Sequence, residues 1–436
     1  MAASKDTAEL KKLDKAHNFY SWSVQGTVAP MMVSHATGMY VYDTEGTEYL
    51  DFSSQLVNTN IGHSHPAVVK AIQEQAETLA TVGPAYSSEP RVQAATRIVE
   101  LAGKDFQKVF FTNGGADGVE NAVRAARLFT KKNKVLSTYR SYHGNTGAAI
   151  VATGDWRRQP NEYSTHHAHF FGPFAYRSEF WSTTEAQEGQ RALHHLERVI
   201  QSEGPDTIAA VLLESVPGTA GIMVPPPGYL RGVRELCDRY GIVMILDEVM
   251  AGFGRTGHWF AFHAHDVVPD LISFAKGVNS GYVPVGGVIF HQRIAEFFED
   301  TMFPGGLTYS GHPLAMASIN AALQAMEDEG MVENAKTMGE DHLRPGLLAL
   351  QADHPVIGDV RGLGCFFALD LVADPVTKAP LDAAAMGRIK GEIVARKLLP
   401  FVVDNRIHVV PPLIVSPEQI QTALHIYDEA LTAAGF

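Results

Sequence analysis

Apolar and polar positions along the chain alternate between two rhythms, one helical and one of short unbroken apolar runs. PAVVKAIQEQAETL, opening on Pro66, predicts an amphipathic helix with Val69, Ile72, Ala76 and Leu79 on one face. KVFFT (108–112) predicts a strand, NGG a turn, and DGVENAVRAARLFTKK a helix with Val119, Ala122, Val123 and Ala126 at core spacing. KVLST (134–138) is the next strand, and strand–helix–strand suggests a parallel sheet with crossover helices. The pattern recurs in TIAAVLLESV (207–216), in a helix with Leu230, Val233, Cys237 and Tyr240 on one face, and in GIVMILDEV. LISFAK and VGGVIF follow, and such continuous apolar runs suit strands buried on both faces.

After about residue 320 the character changes. Helical ALQAMEDEGMVENAKTMGEDHL leads to a strand pair, GDVRGLGCFFALDLV, and then to IHVVPPLIV. Ser416-Pro417-Glu418-Gln419 caps a last helix whose stripe is Ile420, Leu424, Tyr427 and Leu431. Near the amino terminus MYVYDTEGTEYLDF reads as a hairpin turning at Glu45-Gly46. The expectation is an α/β protein: a large domain (66–320) with a mainly parallel central sheet flanked by helices, and a smaller α+β domain (321–436). Residues 1–65 are expected to join the small domain and a dimer interface.

Composition narrows the function. The 436 residues are 45% hydrophobic and carry a formal net charge of −13, which argues against nucleic acid or an anionic membrane as partner. The two cysteines, Cys237 and Cys365, lie in apolar patterns and read as small core residues. The charged start MAASKDTAELKKLDK lacks the apolar core of a signal peptide, and no apolar run is long enough to span a bilayer, so a cytoplasmic location is expected. The histidines at 63/65, 166/167/169 and 263/265 lack a carboxylate or cysteine set of metal-binding spacing, so no metal is expected.

In an open α/β sheet, ligands gather at the carboxyl ends of the strands. Three features fall there: Asp247 after VMIL, Lys276 after LISFA, and the turn Asn113-Gly114-Gly115-Ala116 before a helix. A helix opening on glycines suits a phosphate, although a plain strand-to-helix turn reads the same way. A carboxylate at a buried strand end needs a partner, either a structural cation such as Arg255 or a protonated ring nitrogen. A buried lysine without a partner is costly unless its amine is tied up covalently. Lysine, aspartate and phosphate turn together match the three ends of pyridoxal phosphate (PLP).

LDEVMAGFGRTG, DLISFAKG, TYSGHPLA (308–315) and SYHG (141–144) stand in the order and spacing of a known family. From about Met39 to the last helix the chain closely resembles the class III aminotransferases of PLP fold type I. The resemblance implies that Lys276 binds the cofactor aldehyde and carries the substrate proton, and that Asp247 keeps the ring nitrogen protonated. It implies Tyr142 on one ring face with His143 beside it, Val249 on the other face, and phosphate contacts from Gly114, Gly115 and Ala116. Glu214 orients the cofactor side of the pocket, and Thr308 reaches the phosphate of the second subunit of a homodimer. The family's phosphate helix usually opens with a hydroxyl residue and Glu-Ala; here Ala116-Asp117-Gly118 removes one side-chain contact.

Substrate residues are less marked. Ornithine- and 4-aminobutyrate-type relatives carry an arginine before PPL, where His408 stands here, with Arg406 two residues earlier on the same strand face. The movable arginine of pyruvate-dependent ω-aminotransferases falls on Phe401. Val57 falls where those relatives often have an aromatic residue. Trp22, Tyr86 and Thr219 are further candidate wall residues, with core or interface packing weighed equally. The reading is transfer of a terminal amino group from a β-alanine- or taurine-like compound or a primary amine to a 2-oxo acid, pyruvate first. The alternatives are a 4-aminobutyrate- or ornithine-type enzyme using 2-oxoglutarate, or a PLP-dependent 2,1-aminomutase.

Overall fold

The computed structural model describes residues 6–161 and 166–436. At its centre is a seven-stranded sheet, whose strands we label in chain order. They are β1 (Phe106–Thr112), β2 (Lys134–Thr138), β3 (His167–Phe170), β4 (Ile208–Glu214), β5 (Val243–Asp247), β6 (Leu271–Phe274) and β7 (Gly286–His291). The spatial order is β1-β7-β6-β5-β4-β2-β3. All neighbours are parallel except β7, which runs antiparallel to both β1 and β6. VGGVIF therefore belongs to the sheet in the opposite sense from the one its apolar run suggested. Buried runs look alike in either direction, because direction is set by the connection and not by the composition.

Every residue of β4, β5 and β6 is buried. Successive side chains point to opposite faces. Val243 and Ile245 pack with Val119, Ala122, Val123 and Ala126 of the helix Gly115–Thr130. Met244 and Leu246 pack on the other side with Leu230, Val233 and Cys237 of the helix Tyr229–Tyr240. The core spacing read from both helices is thus the contact that covers the sheet. The helix Pro66–Thr78 differs: it buries Val68, while Val69 and Leu79 are exposed.

The two ends of the chain share a second sheet. Its hairpin, Tyr40–Asp43 with Glu48–Asp51, turns where Gly46 has φ +83°, and Asp43 Oδ1 accepts the backbone N–H groups of Glu45 (2.9 Å) and Thr47 (2.8 Å). Leu398–Leu399 adds in parallel to Glu48–Asp51. A third, antiparallel sheet contains Ile357–Leu363, Phe366–Asp374, Arg406–Val409 and Phe401–Val403. The helical stretch after residue 320 breaks at Gly330 (φ +62°), which separates Pro313–Asp328 from Met331–Thr337. Ser416 and Gln419 form the expected capping box, and Cys237 and Cys365 are free and buried. Among the described residues no helix is long and apolar enough to cross a membrane, and no group of three or more His, Cys, Asp or Glu is placed to hold a metal ion.

Candidate active site

Pairing of β4 with β5 and of β5 with β6 puts Glu214, Asp247 and Ser273 side by side at one level of the sheet. Asp247 is almost fully buried. Its Oδ2 lies 2.8 Å from His143 Nδ1, and its Oδ1 accepts the backbone N–H of Val249 at 3.0 Å. A carboxylate only accepts, so His143 carries its proton on Nδ1. The opposite ring nitrogen of His143 is buried without a hydrogen-bond partner among the described residues. Arg255 is not the partner of Asp247. It is fully buried elsewhere, donating to the carbonyl oxygens of Cys365 (3.1 Å) and Pro411 and to Asn60 Oδ1 (2.7 Å).

Glu214 accepts from the backbone N–H groups of Tyr142 (2.9 Å) and Gly218 (2.7 Å), so one carboxylate ties together two loops of the site. Burial raises its pKa above the ordinary value, with His143 opposing. Lys276 lies two residues beyond the end of β6, in a single turn of 3₁₀ helix. Its backbone is left-handed, φ +47°, a conformation that costs a non-glycine residue about 1–3 kcal/mol. Burial pushes its ammonium down to about 8, while Asp247 and Glu214 work in the other direction. It makes no hydrogen bond or ion pair among the described residues and faces an open cavity of about 820 Å³.

The glycine turn abuts this group. A Cβ on Gly115 would lie 2.9 Å from both γ carbons of Val249, and one on Gly286 would lie 2.6 Å from the backbone of Gly114. Ala116 packs where a Cβ on Gly144 would approach to 2.6 Å, so the small side chain at 116 is matched to the segment behind Tyr142. Gly115, Val249, Asp247 and His143 therefore form one connected group that runs from the helix amides to a carboxylate. Asp247 acts electrostatically on the Lys276 amine, which shares a cavity with Tyr142. That donor set fits pyridoxal phosphate: amides for phosphate, carboxylate for ring nitrogen, lysine for aldehyde.

The profile of the aminotransferase class-III family matches residues 21–431. The chain belongs to the class III aminotransferases. Among solved structures it resembles taurine:2-oxoglutarate aminotransferase from Bifidobacterium kashiwanohense, in complex with PLP and glutamate. That likeness has 40% identity and a TM-score of 0.95, and covers 99% of this chain and 98% of that one. Among curated relatives it is 35% identical to acetylornithine aminotransferase of Methanopyrus kandleri (99% of this chain, 100% of the relative). It is 31% identical to taurine–pyruvate aminotransferase of Bilophila wadsworthia (98% of each). The aminotransferase has the PLP fold type I architecture, and its cofactor is pyridoxal phosphate.

The expected wall of this aminotransferase site needs correction in several places. Val57 is buried (1% exposed) beside Val216 and Ile222 and does not line the cavity; its neighbour Leu56 does. The cause is a kink with positive φ at Ser54, Gln55 and Val57, which turns alternate side chains the other way. His408 is fully buried, with neither ring nitrogen partnered among the described residues, and stands edge-on to Phe401 at 5.1 Å, so it too is off the cavity wall. Arg406, Phe401 and Thr219 do line it. Trp22 stands at the rim, its ring 6.4 Å from that of Tyr142. Tyr86 and Thr308 are exposed and lie away from the cavity of their own chain.

Sequence reasoning missed Arg157. Its guanidinium carbon sits 3.8 Å from the centre of the Tyr142 ring and 5.8 Å from that of Trp22, and its Nε donates to Asp155 at 3.0–3.1 Å. It shares the cavity with Lys276. The signal was present only as the polar string GDWRRQP, which reads as a solvated loop.

Proposed function

We propose that this aminotransferase takes its amino group from a short ω-amino acid with a sulfonate or carboxylate at the far end, as in taurine or β-alanine, and passes it to a 2-oxo acid. The observation that carries the reading is Arg157 over Tyr142, a fixed cation in the cavity that holds the Lys276 amine. Arg140, Arg177 and Arg406 also line the cavity, against only Asp155 and Asp404. Arg177 is taken up by Asp370 (2.7 and 2.9 Å), whereas the partner of Arg406, Asp404, is exposed and so easily displaced. Arg140 is held by Glu179, and Arg157 is held by Asp155 through Nε and Nη2. Arg406 and the Nη1 of Arg157, which makes no hydrogen bond among the described residues, are therefore the cationic groups left for a substrate anion.

Pyridoxal phosphate supplies an aldehyde for the substrate amine and a ring that takes up the electrons of the C–H bond broken beside it. The chain does the rest. Lys276 Nζ would hold the aldehyde of the cofactor and is the group that would move the proton at the substrate carbon. Asp247, oriented by His143, keeps a proton on the ring nitrogen. Tyr142 and Val249 would hold the ring, and Glu214 fixes the backbone of Tyr142. Gly114, Gly115 and Ala116 offer backbone amides to the phosphate. Thr308 reaches the phosphate of the partner subunit in a cytoplasmic homodimer, which is why it is exposed in its own chain.

Pyruvate is the first acceptor on this reading. A second, 2-oxoglutarate, is favoured by Arg406, which offers a dicarboxylate a second cation. A visible spectrum of the purified protein separates them: the cofactor band bleaches with taurine or β-alanine and returns with one acceptor. Bleaching by 1-phenylethylamine but by no anionic donor would sink the reading. Turnover without any added 2-oxo acid would point to an aminomutase instead.

A further inference from the structure

Arg157 and Arg158 are consecutive in the 3₁₀ segment Trp156–Asn161, so their side chains leave about 120° apart. Arg157 turns into the cavity. Arg158 turns the opposite way, to the edge strand β3, where its Nη1 lies 2.6 Å from His169 Nδ1 and 3.1 Å from Nε2. His169 Nε2 also lies 3.1 Å from the carbonyl oxygen of Thr153. That oxygen only accepts, so Nε2 carries the proton, and Arg158 Nη1, in reach of both ring nitrogens at once, lies against the face of the neutral ring and nearest Nδ1. Burial, and then Arg158, push the His169 pKa down to about 4, which keeps this neutral form in place. The ring is wedged between Tyr139 (5.1 Å) and His167 (4.4 Å), and His167 Nε2 is itself 2.9 Å from Ser137 Oγ.

The front of the same segment is fixed by backbone contacts, with Ser141 Oγ also accepting from Gly154 N–H at 3.1 Å. Gly154 N–H donates to the carbonyl oxygen of Ser141 (3.0 Å), and Arg140 N–H to that of Gly154 (3.1 Å). A Cβ on Gly154 would lie 2.1 Å from Thr138 O, so the two strands of chain are in direct contact there. This clamp sets where the segment begins, and the His169 contact is one of the interactions that hold the turn after it.

We propose that His169 is a positioning residue for substrate recognition: by holding Arg158 behind the sheet edge, it aims Arg157 at the anionic end of the substrate. The proposal rests on Arg157 being the anion-binding residue. It also accounts for a histidine in an edge strand that touches nothing in the cavity.

The test titrates the PLP-loaded enzyme with ethanesulfonate, which is taurine without its amine, following the cofactor band. Three variants are compared with the parent: His169→Leu, His169→Asn, which retains an acceptor, and Arg157→Met. Affinity for PLP itself is measured on each. The expected result is a Kd for ethanesulfonate raised about tenfold in His169→Leu, the scale of one misdirected hydrogen bond to a charge. His169→Asn should stay near the parent, and PLP affinity should be unchanged throughout. Equal weakening of PLP and ethanesulfonate in His169→Leu would overturn the proposal, since that is the mark of a damaged scaffold. If Arg157→Met weakens ethanesulfonate and His169→Leu does not, the proposal fails while the anion reading stands. If Arg157→Met binds as the parent does, both fall.

Discussion

Lys276 is the residue whose environment makes the sharpest demand on its chemistry. An amine with its pKa near 8 is largely ready to attack an aldehyde at mildly alkaline pH, where an ordinary lysine is almost wholly protonated. The sign follows directly: the neutral form is the nucleophile, so capture of PLP by the cofactor-free protein should speed up as pH rises through about 8 and then level off. The rate of appearance of the visible band against pH checks this. In Asp247→Asn the midpoint should fall, because one of the two carboxylates that raise the pKa is gone. A midpoint near 10 would show that Lys276 is not buried as described. This residue and Asp247 were legible in sequence because each follows a run that can only be a buried strand. Arg157 was not, since it enters the cavity only where a polar loop folds back against Tyr142, a meeting with no periodic signal.

At the scale of elements, the glycine turn before the helix Gly115–Thr130 depends on Gly115 packed against Val249 and on Gly286 packed against Gly114. Gly115→Ala would drive a methyl into Val249, and overpacking of this kind costs about 1–3 kcal/mol. Denaturant unfolding of the cofactor-free protein should show that loss in Gly115→Ala and its recovery in Gly115→Ala with Val249→Ala, which removes the colliding carbons. Losses that simply add would mean that the contact is not the cause. Sequence periodicity located most of these elements, including the helix after the turn and the capping box at Ser416. It failed where identity is decided by neighbours. β3, rich in histidine, gave no strand signal; β7 gave no sign of its direction; the kink at Ser54–Val57 exchanged Leu56 for Val57 at the cavity wall.

For the whole molecule, the exposed residues matter as much as the buried ones. Val69, Leu79, Tyr86, Met302 and Tyr309 are all exposed apolar groups, and Thr308 lies among them in sequence. Of the face predicted for the helix Pro66–Thr78, Ile72 packs against the chain's own core, while the exposed Val69 and Leu79 would be covered by a partner in the proposed homodimer. Two defective chains should then repair one another. Lys276→Ala and Thr308→Asp are each expected to be inactive alone. In a hybrid dimer one site keeps Lys276 from one chain and Thr308 from the other. Co-expression should restore about a quarter of the parent activity, since random pairing makes half the dimers hybrid with one intact site each. No recovery in a hybrid shown to form would place Thr308 outside the partner's site.

The most direct test of the account is the KM of Arg157→Met for two donors, taurine and 1-phenylethylamine, with a saturating acceptor. An arginine that reads the anionic end should, when lost, raise KM for taurine about 10–100-fold and leave the neutral amine nearly unchanged. Equal losses for both donors, or none for taurine, would contradict it.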